Sequence, residues 1–102
     1  MRRELTDMSE QQTIGVIGAG TMGSGIAHVF AARGFQVILC DVEQRFLDRG
    51  MATIRRNLDR EVAKNKTTAE AANAAAARIT PVTDRAALAP CTLVVEAATE
   101  KF

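Results

Sequence analysis

The stretch Thr13 to Ala27, Thr-Ile-Gly-Val-Ile-Gly-Ala-Gly-Thr-Met-Gly-Ser-Gly-Ile-Ala, leaves this chain few choices of fold. Ile14, Val16 and Ile17 form a short apolar, β-branched run of the kind a buried parallel strand uses. Gly18-Ala19-Gly20-Thr21-Met22-Gly23 follows at once and predicts a tight turn opening into a helix. Each glycine has its own physical task. Gly18 permits the turn, Gly20 lacks the Cβ that would hold a diphosphate off the backbone, and Gly23 lets the helix lie close to the strand. The helix N-terminus presents unpaired N–H groups and the positive end of its dipole, so a diphosphate settles there without a basic side chain.

The rest of the chain repeats the alternation. A helix is expected from about Thr21 to Ala32, with Met22, Ile26, Val29 and Phe30 as its apolar stripe and Gly34 as its stop. Phe35 to Cys40 reads as a second apolar strand with Asp41 at its edge. A long helix follows from about Glu43 to Asn65; Leu47, Met51, Ile54, Leu58 and Val62 recur on one face of it. Arg45, Arg49, Arg56, Arg60 and Lys64 form a second, basic stripe, with Asp48, Asp59 and Glu61 as local ion-pair partners; it reads as a solvated face, the functional alternative being a docking rail for a phosphorylated substrate. Thr67-Thr68-Ala69-Glu70 matches a capping box before an alanine-rich helix that runs to Arg78, expected to be peripheral because alanine buries little area. Ile79 to Thr83 predicts a third strand, which Pro81 confines to a sheet edge or strand start. Asp84 caps a brief turn through Leu88, and Thr92 to Glu96 makes a fourth strand ending near Ala97. The fold class is therefore α/β, a partial Rossmann-type parallel sheet of about four strands with flanking helices. Right-handed crossovers place the second and fourth strands on opposite sides of the first.

Asp41 refines the ligand. It stands eighteen residues after Gly23, near the distance expected of the acidic residue that takes the adenosine ribose. A glycine fingerprint alone is a weak signal, but one that follows a strand, opens a helix and precedes a strand ending in Asp marks a dinucleotide site. A carboxylate there favours NAD, because it repels the 2′-phosphate of NADP. The bland alternative is a strand-end Asp that only caps the next helix.

Several classes are disfavoured. With 13 basic and 12 acidic side chains, the net charge of +1 gives no reason to expect nucleic acid or anionic membrane as partner. No run of eighteen apolar residues is present to span a bilayer. Residues 1–12 read as a disordered leader with Met8 as a second possible start; they lack the apolar stretch of a secretory signal, and their acidic residues argue against a transit peptide, so a cytoplasmic location is expected. If Cys40 and Cys91 lie on strands either side of the first, about two spacings of 4.8 Å separate them, beyond disulfide reach; free thiols are expected. His28 is the one histidine and reads as a packed helix residue, and one His with two distant Cys cannot make a metal site. No catalytic acid or base for hydride transfer is recognisable.

Ile-Gly-Val-Ile-Gly-Ala-Gly-Thr-Met-Gly-Ser-Gly-Ile-Ala, a strand ending in Asp41, and Leu-Val-Val-Glu-Ala-Ala-Thr-Glu together resemble the N-terminal domain of the L-3-hydroxyacyl-CoA dehydrogenases, bacterial 3-hydroxybutyryl-CoA dehydrogenases among them. The resemblance covers about residues 13 to 102, and Met22, Gly25 and the Glu-Ala-x-x-Glu ending make it more specific than the glycine pattern. It implies NAD-linked interconversion of 3-hydroxyacyl-CoA and 3-ketoacyl-CoA. It further implies cofactor contacts from Gly18, Ala19, Gly20, Thr21, Met22, Gly23, Asp41 and Ala97, with Glu100 reaching the nicotinamide half. The coenzyme A tail would pass the long helix, where Lys64 matches the family's Lys and Asn57 replaces its Ser. The family's catalytic residues and its dimerising helical domain follow the Glu-Ala-x-x-Glu segment, so the resemblance implies a truncated NAD-binding domain that is inactive alone, with its sheet open to self-association beside the fourth strand. Two alternatives stand beside this: a stand-alone NAD-binding or sensing module, and a dehydrogenase of a free 3-hydroxy acid.

Overall fold

The computed structural model describes residues 12–97. The expectations for the leader and for Glu100 lie outside the described residues, save for residue 12. In chain order the elements are β1 (Thr13–Ile17), α1 (Thr21–Ala32), β2 (Gln36–Cys40), α2 (Gln44–Ala63), α3 (Ala69–Ala77), β3 (Ile79–Val82), a 3₁₀ turn (Arg85–Leu88) and β4 (Leu93–Glu96). The strands form one sheet in the order β3-β2-β1-β4, with every neighbouring pair parallel. The chain steps from β1 outward to β2 and β3 and then crosses back to β4, so β2 and β4 flank β1 on opposite sides, and Pro81 lies on the edge strand β3, as its missing N–H requires.

The core lies between the sheet and the helices. Ile14 and Val16 of β1 and Val37 and Leu39 of β2 are buried against Leu47, Ile54 and Leu58 of α2. Each such aliphatic side chain contributes about 1.5–3 kcal/mol when removed from water. Met51 and Val62 pack at the flank of this face, so the expected stripe on α2 holds along its length. The helix ends at Ala63, slightly earlier than its apolar pattern suggested, because Asn65 turns into the left-handed region (φ 60°), which Asn tolerates.

On α1 the expected stripe is displaced. Met22 is 56% exposed and Val29 53%, while Gly23, Ser24, Ala27 and Ala31 form the buried face. Ile26 and Phe30 pack beside it, and Phe30 meets Phe35 edge to face at 5.6 Å. The helix approaches the sheet and α2 so closely that small residues fill the interface, and a stripe chosen by side-chain size points to the wrong face.

The alanine helix also departs from expectation. Ala72 and Ala75 of α3 are buried in the core, and Asn73 accepts a hydrogen bond from Arg55, which also bonds Asp59. Alanine here serves close approach rather than marking a peripheral arm. Its cap is Thr68, whose Oγ1 accepts from the Ala71 N–H at 3.1 Å. The cap therefore sits one residue later than the capping-box spacing from Thr67 predicts. Arg78, just after α3, donates to the Ala31 carbonyl at 2.8 Å and closes the C-terminus of α1.

Candidate dinucleotide site

Backbone hydrogen bonds carry the sheet past its strands and gather three segments at the carboxyl edge. The Gly18 N–H donates to the Cys40 carbonyl (2.7 Å), the Ala97 N–H to Ile17 (2.8 Å) and the Asp41 N–H to Val82 (3.1 Å). The glycine loop, the end of β2 and the end of β4 thus lie side by side. Between them opens a cleft of about 370 Å³. Gly18, Ala19, Gly20, Thr21, Met22, Asp41 and Ala97 all line it, as do Val42, Glu43 and Phe46, which the sequence did not assign to a site, and Arg49 of the basic stripe.

The three glycines of the loop differ in what requires them. Gly18 has φ +103°, a conformation that a residue with a Cβ rarely adopts. At Gly23 a Cβ would collide with the Gly18 carbonyl oxygen and touch Ala97 Cβ, so the fold itself demands glycine there. At Gly20 an added Cβ meets no protein atom within 4 Å. The space beside its backbone is open, and packing gives no reason for glycine. Gly20 is also the N-cap of α1 with no side-chain cap, so the N–H groups of the first turn have no side-chain partner. That end of the helix is suited to an anion.

Asp41 bridges both readings of it. One carboxylate oxygen accepts from the Ala19 N–H at 2.9 Å and the other from the Glu43 N–H at 3.0 Å, just ahead of α2. The same side chain therefore ties the glycine loop to the start of the next helix while its carboxylate lines the cleft. Carboxylate oxygens carry further acceptor sites, so these two bonds leave capacity for ribose hydroxyls.

A second close contact fixes the loop from behind. A Cβ on Gly50 of α2 would lie 2.9 Å from the Ala19 carbonyl oxygen and 2.7 Å from Ser24 Oγ. The buried Ser24 hydroxyl donates to that same carbonyl at 3.1 Å. Gly50 lies within a helical pattern, where glycine costs about 1 kcal/mol against alanine. That cost was the available sequence signal, and close approach of α2 to the loop is its explanation.

The remaining candidates stand apart from the cleft. Asn57 accepts from Arg60, and Lys64 caps the C-terminus of α2. Along the helix they lie about 12 and 22 Å beyond Arg49, at 1.5 Å per residue. Of the basic stripe, Arg49 lines the cleft, while Arg45 faces Glu43 at 3.7 Å. His28 is half-buried with Nε2 3.5 Å from Glu61 and does not line the cleft. Cys40 and Cys91 are free; burial raises both thiols above their ordinary pKa, with Arg85 partly opposing this at Cys40, so neither is an activated nucleophile. Among the described residues no three His, Cys, Asp or Glu side chains cluster as a metal site needs, and no helix is long and apolar enough to cross a membrane.

An open parallel sheet, an uncapped glycine turn at its switch point and an acidic side chain on the neighbouring strand define a dinucleotide-binding domain. Comparison with known proteins specifies the kind. Residues 13–102 match the family model described as "3-hydroxyacyl-CoA dehydrogenase, NAD binding domain", and the chain belongs to this family, whose cofactor is NAD. A 3-hydroxybutyryl-CoA dehydrogenase of Bradyrhizobium diazoefficiens is 52% identical over 88 residues, 86% of this chain and 30% of the relative. A 3-hydroxyadipyl-CoA dehydrogenase of Escherichia coli K12 is 46% identical over 93% of this chain and 20% of its own length. The crystal structure of (S)-3-hydroxybutyryl-CoA dehydrogenase from Ralstonia eutropha superposes with a TM-score of 0.86 at 39% identity, covering 91% of this chain and 33% of that one. The chain thus spans a fifth to a third of the length of these relatives.

Proposed function

We propose that this chain is the NAD-binding part of an oxidoreductase that interconverts 3-hydroxyacyl-CoA and 3-ketoacyl-CoA. The observation that carries the reading is the open space at Gly20 beside an uncapped helix terminus, opposite a carboxylate already anchored to the loop. NAD held in this cleft would supply the hydride acceptor for oxidation of a 3-hydroxyacyl group. The residues of this chain bind and orient. The first-turn N–H groups of α1 hold the pyrophosphate over Gly18, Ala19, Gly20, Thr21, Met22 and Gly23. Asp41 accepts from the adenosine ribose, and Ala97 and Glu100 border the nicotinamide half. Asn57 and Lys64 take the coenzyme A tail.

The acid–base step of the whole enzyme is not assigned to His28, whose Nε2 lies 3.5 Å from Glu61 and which does not line the cleft. The chain alone therefore binds NAD without turning over substrate. The whole enzyme works in the cytoplasm, a reading favoured by the two unpaired thiols. It dimerises through a helical domain, and the chain alone self-associates beside β4, where Leu93 and Val94 are exposed on an edge strand. Titration of the chain with NADH by calorimetry tests the binding reading: saturable binding supports it and its absence overturns it. Sedimentation of wild type against Leu93→Lys tests the edge, which should lose its dimer.

A further inference from the structure

Phe46 and Arg49 stand one turn apart at the start of α2 and form the cleft wall facing the glycine loop. The Arg49 guanidinium lies 5.7 Å from the centre of the Phe46 ring, which limits its freedom. Arg49 also borders a second hollow of about 150 Å³ behind the loop, together with Gly20, Thr21, Ser24 and Thr53. Its side chain therefore divides two spaces that both touch Gly20 and Thr21, at the uncapped end of α1. The next residue, Gly50, is pressed against the Ala19 carbonyl, so the backbone at Arg49 is held to the loop. Charge balance gives this arginine a partner to find. The cleft carries the carboxylates of Asp41 and Glu43, of which Glu43 faces Arg45; among the described residues no carboxylate forms an ion pair with Arg49.

We propose that Arg49 is a further cofactor contact, its guanidinium donating to a phosphate oxygen on the adenosine side of the pyrophosphate. This rests on the NAD reading of the cleft. A helix terminus supplies about half a positive charge, whereas a diphosphate brings two negative ones into a cleft that already holds carboxylates. A guanidinium preordered on an aromatic face offsets that excess, and its fork matches phosphate geometry.

Calorimetric titration of the chain with NADH, NADPH and ADP at low and high salt, for wild type, Arg49→Gln and Arg49→Lys, tests the assignment. Arg49→Gln should weaken NADH and ADP alike, about tenfold at low salt and less at high salt, with an unchanged melting temperature because Arg49 is exposed. Arg49→Lys should recover part of the loss. Unchanged ADP affinity in Arg49→Gln overturns the proposal and leaves the NAD reading standing. A loss independent of salt overturns it in favour of stacking on the base, and a larger loss for NADPH than for NADH overturns it in favour of the 2′-position. If the wild-type chain binds none of the three, the NAD reading itself falls and this proposal with it.

Discussion

The seam where α1 and α2 press on the glycine loop and the open cleft wall beside it use the same small residues under different forces. In the seam, Gly23 and Gly50 are glycine because protein backbone occupies the place of a Cβ. On the cleft wall, Gly20 is glycine with nothing of the protein near it. Close packing and ligand approach therefore leave the same letter in the sequence, and only the surroundings tell them apart.

The comparison is broken or sharpened by substitution. Gly23→Val should have the largest effect: its branched side chain meets backbone that cannot move aside, and the chain should fail to fold, seen as loss of the cooperative thermal transition by circular dichroism. Gly20→Val should abolish NADH binding, by roughly a hundredfold or more in calorimetry, at a folding cost of about 1 kcal/mol for a poorer N-cap. If Gly20→Val unfolds the chain as Gly23→Val does, the distinction between the two regions is lost. Asp41→Ala touches both regions at once. It should weaken NADH about tenfold and narrow the gap to NADPH, and also lower the melting temperature because the Ala19 and Glu43 N–H groups lose their acceptor. Unchanged preference between the two nucleotides would make Asp41 a structural tie only.

The smallest effect concerns the two thiols. The pKa values of Cys40 and Cys91 are raised above 9.0, so the folded state favours the neutral thiols. That contribution to stability is complete below the pKa of the unfolded thiol and is lost as pH rises through the folded value. Denaturant titrations should show a shallow decline in stability above about pH 9, where unfolded thiols ionise and folded ones resist. At pH 8, iodoacetamide should modify the half-buried Cys91 before the buried Cys40.

Much of this was legible in the chain. Strand and helix alternation, the glycine turn, Asp41 at the end of β2 and Pro81 on an edge strand all rest on local rules of backbone conformation and periodicity. The parts that were not legible share a cause. Met22 and Val29 looked like core because they are large, yet the buried face of α1 is Gly23, Ser24, Ala27 and Ala31. Arg49 looked like one member of a solvated stripe, although it lines the cleft. The alanine helix looked peripheral, although Ala72 and Ala75 are in the core. In each case the deciding quantity is the distance between two elements, which no single helix encodes.

By itself the sequence determined which segments are strands and helices, and that Gly18, Gly20, Gly23 and Asp41 would meet at one edge of a parallel sheet. Local φ/ψ preference and right-handed crossovers suffice for that. Only the tertiary structure decided that Gly23 and Gly50 answer to backbone and Gly20 to open space, and that Arg78 closes a helix forty-seven residues earlier in the chain. Those outcomes depend on how near the elements come to rest, which is settled when the whole core packs at once.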